Sequence, residues 1–207
     1  MKKPIRLLIA DDHAIVRIGL TSLFESESDI EVVGQAVDGE DAVRKADALR
    51  PDLLLMDLVM PNLDGSEATV AIKAAHPEIK VILLTTFGSA NGLYRAIEAG
   101  AEGALTKSIE DATLVTTVRK VASGETVISP EIKKMLVEEK PIPELSPRQQ
   151  EVLASITRGL SNAEIAAQLG IDAMTVREYL STIFAKLGAA NRTEAAAIAL
   201  RKQLLKM

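Results

Sequence analysis

Apolar positions recur with two different spacings along the chain, and these spacings predict two kinds of structure. In the first 124 residues, short apolar runs alternate with segments in which apolar residues recur every three or four positions. The short runs predict strands, and the recurring positions predict amphipathic helices. Strand and helix alternate five times, which is typical of a doubly wound α/β fold with a five-stranded parallel sheet.

The third apolar run, Leu53 to Met56, leads without interruption into Asp57. Pro51 and Pro61 bound this run, and an unbroken apolar run of this length predicts a strand buried on both faces. In open α/β sheets, ligands bind at the carboxyl ends of the strands. Asp57 is therefore predicted to lie at the edge of the sheet where the chemistry takes place.

Polar side chains also follow or end three of the other predicted strands. Asp11 and Asp12 follow the first strand, Thr85 ends the fourth, and Lys107 follows the fifth. Each one alone has an ordinary structural explanation, as a helix cap, a strand residue or a surface lysine. Because all of them lie at carboxyl ends of strands, their joint placement favours one shared site.

The last 63 residues have a different pattern, with four closely spaced helices. The predicted capping signals are Ser146–Gln149, Ser161–Glu164, Asp172 and Asn191–Glu194. The predicted helix-end signals are Gly159, Gly170 and Gly188. Along the third of these helices, apolar residues recur from Val176 to Leu187 at intervals of four, three and four, which predicts one buried stripe and an exposed face that carries Arg177 and Ser181.

The segment between the two patterns is predicted to be a linker. Its two prolines, Pro141 and Pro143, and its charged residues favour an extended chain, and Ser129-Pro130 can start a short helix before it. The predicted domains are residues 1–124 and 145–207, joined by a linker at 125–144.

Composition and charge limit the possible functions. The chain of 207 residues contains no cysteine, which excludes disulfides, thiolate nucleophiles and cysteine zinc sites. No apolar run approaches the ~20 residues of a membrane span, and the N-terminal apolar run is too short for a signal peptide, so a cytoplasmic location is expected.

Residues 1–124 carry 13 basic and 19 acidic residues, whereas residues 145–207 carry 8 basic and 5 acidic ones. This asymmetry suggests different partners for the two domains.

Residues 1–124 resemble the receiver domain of two-component response regulators. The matching motifs are Asp11-Asp12, Asp57 to Gly65, Leu84-Thr85, Ala99-Gly-Ala101 and Lys107. The resemblance implies a flavodoxin-like fold in which a partner sensor histidine kinase phosphorylates Asp57. It does not extend to the aromatic residue that the family commonly places three residues before Lys107, because Ala104 occupies that position. Phe87 and Tyr94 are candidates to replace it.

The resemblance also implies roles for the other polar residues at this edge. Three converging carboxylates need a cation to offset their repulsion, and oxygen ligands at a water-accessible edge suit Mg²⁺. Asp12, Asp57 and the Val59 carbonyl are expected as direct ligands, with Asp11 acting through water. Thr85 and Lys107 are expected to bind the phosphoryl group.

Residues 145–207 resemble the LuxR-type helix-turn-helix domain of NarL-like regulators. The matching motifs are Leu145–Leu153, Gly159–Ala166, Thr175–Arg177, Lys186–Gly188 and Asn191–Ala195. The resemblance implies that the third helix enters the DNA major groove. The residues expected at phosphates are Asn162, Thr175 and Lys186. The residues expected near base edges are Val176, Arg177, Glu178 and Ser181.

Together these patterns predict a transcription factor that dimerises and binds promoter DNA when phosphorylated, and that is not an enzyme beyond accepting its own phosphoryl group. Two alternatives come from other classes. One is a signalling module whose helical tail binds protein, which the small positive charge of that tail favours. The other is a phosphotransferase with Asp11 as nucleophile, although Asp11-Asp12-His13 lacks the Asp-x-Asp spacing of such enzymes.

Overall fold

The computed structural model describes residues 3–86, 90–138, 143, 145–202 and 204. The chain divides into two compact units, residues 1–140 and residues 141–207.

The first unit is built from six strands and six helices among its described residues. The strands are β1 (Ile5–Ala10), β2 (Ile30–Ala36), β3 (Leu53–Asp57), β4 (Lys80–Thr85), β5 (Gly103–Thr106) and β6 (Val127–Ile128). The helices are α1 (Ala14–Glu25), α2 (Gly39–Leu49), α3 (Gly65–Ala75), α4 (Ala90–Glu98), α5 (Asp111–Ala122) and α6 (Pro130–Glu138).

The strands form one sheet in the order β2-β1-β3-β4-β5-β6, and every described pairing is parallel. The predicted doubly wound sheet is therefore confirmed, with β3 at its centre. From β1 the chain continues to β2 on one side of the sheet, whereas β3 and the later strands follow on the other side. At such a switch point, the carboxyl ends of the neighbouring strands form a binding crevice. The sixth strand was not expected. It has two residues, which is too short to produce a periodic pattern.

The two faces of the sheet bury two separate apolar clusters, and β3 contributes to both of them. Leu53 and Leu55 pack into one cluster, and Leu54 and Met56 pack into the other. Successive side chains of a strand point to opposite faces. All five residues of β3 are buried, which confirms the prediction of a strand covered on both sides.

Helix α6 lies within the segment that was predicted to be a linker, and it is part of the first unit. Ile132 is buried in the same cluster as Leu54 and Met56, and Met135 and Leu136 pack against that cluster. The short helix expected after Ser129-Pro130 is thus present, but its apolar side belongs to the core. Residues 139–142 and 144 of the predicted linker lie outside the described residues.

The second unit consists of four helices in its described part. They are α7 (Pro147–Thr157), α8 (Asn162–Leu169), α9 (Ala173–Leu187) and α10 (Arg192–Arg201). The capping boxes predicted for α7 and α8 are complete, and Asp172 caps α9. At α10, Asn191 accepts a hydrogen bond from Glu194 N, but the Glu194 carboxylate accepts from Ala190 N instead of closing the box.

The predicted ends of α8 and α9 are confirmed at Gly170 and Gly188, whose φ angles are 64° and 65°. Glycine adopts this left-handed conformation without the steric cost that a Cβ adds. One apolar cluster fills the space between the four helices, and it includes Val152, Ile165, Val176 and Ile183. Among the described residues of the whole chain, none of the helices combines the length and apolar character needed to span a bilayer.

Candidate functional site

The carboxyl ends of the strands bring Asp11, Asp57 and Lys107 into direct contact. The Lys107 ammonium donates hydrogen bonds to Asp11 Oδ2 at 2.6 Å and to Asp57 Oδ2 at 2.7 Å. Both carboxylates are buried, with 1% of Asp11 and 5% of Asp57 exposed. One cation therefore bridges two buried anions that come from different strands.

Main-chain hydrogen bonds position Lys107 and Thr85 at this edge. Thr85 is the last residue of β4 and is 1% exposed, and its carbonyl accepts a hydrogen bond from Lys107 N at 2.8 Å. On the other side of β4, the Leu84 carbonyl accepts from Leu58 N at 2.9 Å. The main chain at the end of β4 is thus hydrogen-bonded both to Leu58, the residue that follows Asp57, and to Lys107.

Burial and charge act against each other at the two bridged groups. Burial raises the pKa of the Asp57 carboxyl above its ordinary value, and the hydrogen bond from Lys107 only partly offsets this effect. Burial lowers the pKa of Lys107, but the hydrogen bonds to Asp11 and Asp57 outweigh it, so the net pKa is raised. Lys107 thus stays charged at neutral pH.

The same edge offers ligands for a metal ion. Asp11, Asp12, His13 and Asp57 each supply one ligand atom, and these atoms all lie within 4.8 Å of one another. Opposite ligands of Mg²⁺ are about 4.2 Å apart, because each lies ~2.1 Å from the ion. Asp12 is exposed, which leaves room for the water that Mg²⁺ retains. The three carboxylates of this set are the oxygen donors that a hard divalent cation prefers.

The loop after Asp57 requires close packing of the main chain. A Cβ on Gly65 would lie 2.2 Å from the Asp57 carbonyl oxygen, so a side chain there would displace the residue that carries the carboxylate. Val59 N donates to Asp57 Oδ1 at 3.3 Å, and the Val59 side chain is 47% exposed. An exposed apolar residue thus lies two positions after Asp57 and is hydrogen-bonded to the carboxylate through its main-chain N–H.

Two residues near this site were not identified from the sequence. The Arg17 guanidinium on α1 donates to the Asp11 carbonyl oxygen at 2.7 Å. His13, which is exposed, has its ring Nδ1 2.7 Å from Asp12 Oδ1. In the sequence, the position of His13 directly after Asp11-Asp12 could have indicated that it lies near the site. Arg17 lies within a predicted helix, and nothing in the local sequence indicates its contact with Asp11.

Ala104, which stands where an aromatic residue was expected, is fully buried in the core. Of the two candidates to replace that aromatic residue, Phe87 lies outside the described residues. Tyr94 is half-buried on α4, and its hydroxyl donates to the Leu136 carbonyl of α6.

In the second unit, α9 presents the expected exposed face. Arg177, Glu178 and Ser181 are exposed. Val176 is 0% exposed and packs in the centre of the apolar cluster, so its expected placement near base edges is wrong. The physical reason is that Val176 belongs to the buried stripe, and a side chain in that stripe cannot also point outward. Met174, 62% exposed, lies on the outer face instead and was not identified from the sequence.

The three residues expected at DNA phosphates all have protein partners. The Thr175 hydroxyl donates to Asp172 Oδ2 at 2.7 Å, so its single proton is already used. Asn162 Oδ1 accepts from Arg192 Nη1 at 3.1 Å, which leaves its amide N–H groups as the donors toward an anion. Lys186 Nζ donates to Gln149 Oε1 at 2.9 Å.

Two family models match the chain. Residues 7–119 match the model described as a response regulator receiver domain, and residues 143–199 match the model described as bacterial regulatory proteins of the luxR family. Together the two models cover strands β2 to β5, most of β1 with the acidic edge, and most of the four-helix unit.

Individual proteins are similar over almost the whole chain. The response regulator protein VraR of Staphylococcus aureus is 40% identical over 206 residues, which cover 97% of this chain and 99% of VraR. A crystal structure of the response regulator ChrA from a heme-sensing two-component system is 35% identical, with a TM-score of 0.59 over 99% of this chain and 100% of ChrA. A complex of the response regulator RcsB with DNA is 25% identical, with a TM-score of 0.64 over 96% of this chain and 99% of RcsB.

Proposed function

The chain belongs to the response regulators that join a receiver domain to a luxR-family DNA-binding domain, and we propose that phosphorylation of Asp57 by a partner sensor histidine kinase controls its binding to promoter DNA. As a member of this family it is a two-component transcription regulator. The proposal adds the phosphoacceptor, the metal, the DNA contacts and the change in assembly. The observation that carries it is the Lys107 ammonium, which lies between Asp11 and Asp57.

In the proposed reaction, Asp57 is the nucleophile. One of its carboxylate oxygens attacks phosphorus, the bond from phosphorus to the donor's imidazole nitrogen breaks, and that nitrogen leaves with the electron pair. The product is an acyl phosphate on Asp57. The Lys107 ammonium, 2.7 Å from Asp57 Oδ2, offsets the charge that develops on the phosphoryl oxygens.

We assign Mg²⁺ to the acidic edge as the cofactor of this reaction. Asp12, Asp57 and the Val59 carbonyl would hold it directly, and Asp11 would hold it through water. When bound, the ion supplies positive charge next to the transferring phosphoryl group. Asp11 is buried and hydrogen-bonded to Lys107, so it also orients the ammonium toward the acceptor.

Thr85 is proposed to carry the signal away from the site. Its hydroxyl would donate to a phosphoryl oxygen on Asp57, which draws the end of β4 toward β3. Because the Thr85 carbonyl is bonded to Lys107 N, this movement would also reposition the ammonium. The chain performs no other chemistry in this proposal than accepting, holding and losing its own phosphoryl group.

The proposed DNA contacts lie on and around α9. The N-terminal part of α9 would enter the major groove, with Arg177, Glu178 and Ser181 near base edges and Asn162 and Lys186 at phosphates. Thr175 would reach a phosphate only after its hydroxyl leaves Asp172.

The 8 basic and 5 acidic residues of 145–207 imply few phosphate contacts. We therefore propose that a phosphorylation-dependent homodimer, bound to two half-sites, provides the affinity. The proposed site of action is the cytoplasm, where promoter DNA lies.

The test uses the full chain, acetyl phosphate and Mg²⁺, with intact mass and retention of genomic DNA fragments as measurements. The wild-type chain should gain one phosphoryl group, form dimers and retain a restricted set of fragments. Asp57→Asn should gain no phosphoryl group and lose the increase in retention while its circular dichroism stays unchanged. Asp111→Asn, an exposed aspartate on α5, is the matched control and should behave as wild type. Phosphorylation of Asp57→Asn would refute the assigned acceptor. Phosphorylation of the wild type without DNA retention at low salt would favour a protein-binding tail.

A further inference from the structure

Met174 is a large apolar residue on the exposed side of α9. It is the second residue of that helix and is 62% exposed. Among the described residues of the second unit, Leu200 on α10 is the one other large apolar residue with comparable exposure. A single exposed apolar residue is common on protein surfaces. What distinguishes Met174 is its place on α9.

The fold of the second unit does not use the side chain of Met174. Met174 precedes Val176, the first residue of the buried stripe, by two positions, which is about 200° around the helix. It accordingly lies outside the apolar cluster that fills the space between the four helices. Asp172 holds the start of α9, because its carboxylate accepts from the Thr175 N–H at 2.9 Å and from the Thr175 hydroxyl at 2.7 Å. The side chain of Met174 is thus available to a partner outside the unit.

Met174 shares its side of α9 with the exposed residues Arg177, Glu178 and Ser181. These residues follow Met174 by three, four and seven positions, and residues at such spacings lie on one face of a helix. In helix-turn-helix proteins, the N-terminal residues of the recognition helix contact base edges. From Met174 to Arg177 the helix rises about 4.5 Å, which is close to the ~3.4 Å between successive bases of a strand. A helix that brings Arg177 to one base therefore brings Met174 to a neighbouring base.

The chemistry of methionine selects one group in the major groove. Most groups at the base edges there are hydrogen-bond donors or acceptors, and thymine adds an apolar C5-methyl group. Methionine has no proton to donate and its sulfur is a weak acceptor, so covering a polar edge would leave that edge unpaired. A methyl group needs no hydrogen bond, and the unbranched, flexible side chain of methionine can adjust its shape to pack on it.

We propose that Met174 is a specificity-determining residue that packs against the C5-methyl group of a thymine in the major groove. The thymine lies within two base pairs of the base that Arg177 contacts. This inference rests on the proposed function, in which α9 enters the major groove. The contact removes apolar surface of both partners from water, and this burial is the source of the preference.

The experiment removes the methyl group from the DNA without changing the base pairing. Binding sites are first selected with the phosphorylated full chain, and each thymine of the selected duplex is then replaced in turn by deoxyuridine, which lacks only the C5-methyl group. The wild-type chain should bind about 3- to 6-fold more weakly when the contacted thymine is replaced. Met174→Ala should bind the thymine and uracil duplexes equally to within about two-fold. The ratio of the two affinities measures the coupling between the side chain and the methyl group, because effects common to both duplexes cancel.

Two further variants serve as controls. Met174→Leu keeps an apolar side chain and should retain the preference for thymine over uracil. Leu200→Ala truncates a residue of similar exposure, 64%, and should leave the ratio unchanged. Met174→Ala should also leave the salt dependence of binding unchanged, because Met174 neutralises no phosphate.

Equal affinity of the wild type for thymine and uracil duplexes at every thymine of the selected site would overturn the proposal. A preference for thymine that persists in Met174→Ala would overturn it as well. Loss of affinity in Met174→Ala to the same extent for both duplexes, with the wild type indifferent to the methyl group, would show that Met174 packs against protein instead. In each of these cases the proposed function stands. Absence of DNA binding by the phosphorylated wild type would overturn the proposed function, and the role of Met174 with it.

Discussion

Tyr94 on α4 donates a hydrogen bond from its hydroxyl to the main-chain carbonyl of Leu136 on α6. Leu136 lies in the last turn and a half of α6, and the preceding turn buries Ile132 in the core. The helix before residue 140 is thus fixed to the sheet unit at two points. The first is the apolar packing of Ile132, and the second is the hydrogen bond from Tyr94 to Leu136.

Replacing Tyr94 with phenylalanine should release the end of α6. The substitution removes one hydrogen-bond donor, which costs about 1 kcal/mol, and leaves the ring in place. Amide hydrogen exchange should therefore accelerate at residues 130–138 while the strands stay protected. Tyr179→Phe in the second unit is the matched control and should leave exchange in α6 unchanged. Identical exchange of α6 in Tyr94→Phe and wild type would show that the hydroxyl does not hold the helix.

Arg119 should make a pH-dependent contribution to stability. Its guanidinium donates to Asp29 and Glu27, and the hydrogen bond to Asp29 holds the pKa of that carboxyl below its ordinary value. A carboxyl with a lowered folded-state pKa stabilises the fold above its unfolded-state pKa, and the contribution disappears as pH falls through the folded value. Because these groups are largely exposed, Arg119→Gln should lower the free energy of unfolding by no more than about 1 kcal/mol at neutral pH.

That difference should shrink when urea unfolding is repeated at about pH 3, below the ordinary pKa of an aspartate, where the Asp29 carboxyl is largely protonated in the unfolded state. Lys120→Gln, the exposed neighbour on α5, should show no such pH-dependent difference. A deficit in Arg119→Gln that is equal at both pH values would mean that the ion pair is not its cause.

Val59 should prolong the life of the acyl phosphate. Its exposed apolar side chain follows Asp57 by two residues and cannot orient an attacking water. Val59→Asn offers an amide for one hydrogen bond to that water, so dephosphorylation should accelerate about 5- to 10-fold. The half-life is measured by loss of phosphoryl mass after the donor is removed. Val70→Asn, an exposed valine on α3, is the control. An unchanged half-life in Val59→Asn would exclude this explanation.

Arg177 should determine one base of the DNA site without affecting the fold. It is exposed on α9, and its guanidinium can donate two hydrogen bonds to guanine O6 and N7. Arg177→Ala should cost roughly 1–3 kcal/mol of binding, relax the preference at one base pair per half-site, and leave the melting temperature unchanged. Val176→Ala should instead lower the melting temperature and leave the base preference unchanged. Val176 is fully buried, so its truncation opens a cavity. If selected sites are identical for Arg177→Ala and wild type, Arg177 does not contact a base.

Much of the molecule follows from local sequence. The alternation of apolar runs and amphipathic segments predicts β1 to β5 and the helices between them, because side chains repeat every two residues in a strand and about every 3.6 residues in a helix. The capping residues at α7, α8 and α9 and the glycines after α8 and α9 mark helix ends through hydrogen bonds that span three or four residues. Asp57 was placed at the functional edge because the unbroken apolar run before it, bounded by prolines, predicts a buried central strand.

The rest depends on contacts between residues that are far apart in the chain. No local pattern indicates that the Lys107 ammonium lies between Asp11 and Asp57, which precede it by 96 and 50 residues. Strand β6 has two residues and acquires its structure only by pairing with β5. Val176 was assigned both to the buried stripe and to the DNA face, and packing against the other helices decided in favour of the stripe. Periodicity identifies which residues share a face, but the partner of a side chain is decided only when distant segments pack together, because its hydrogen bonds and burial depend on atoms that the local sequence does not contain.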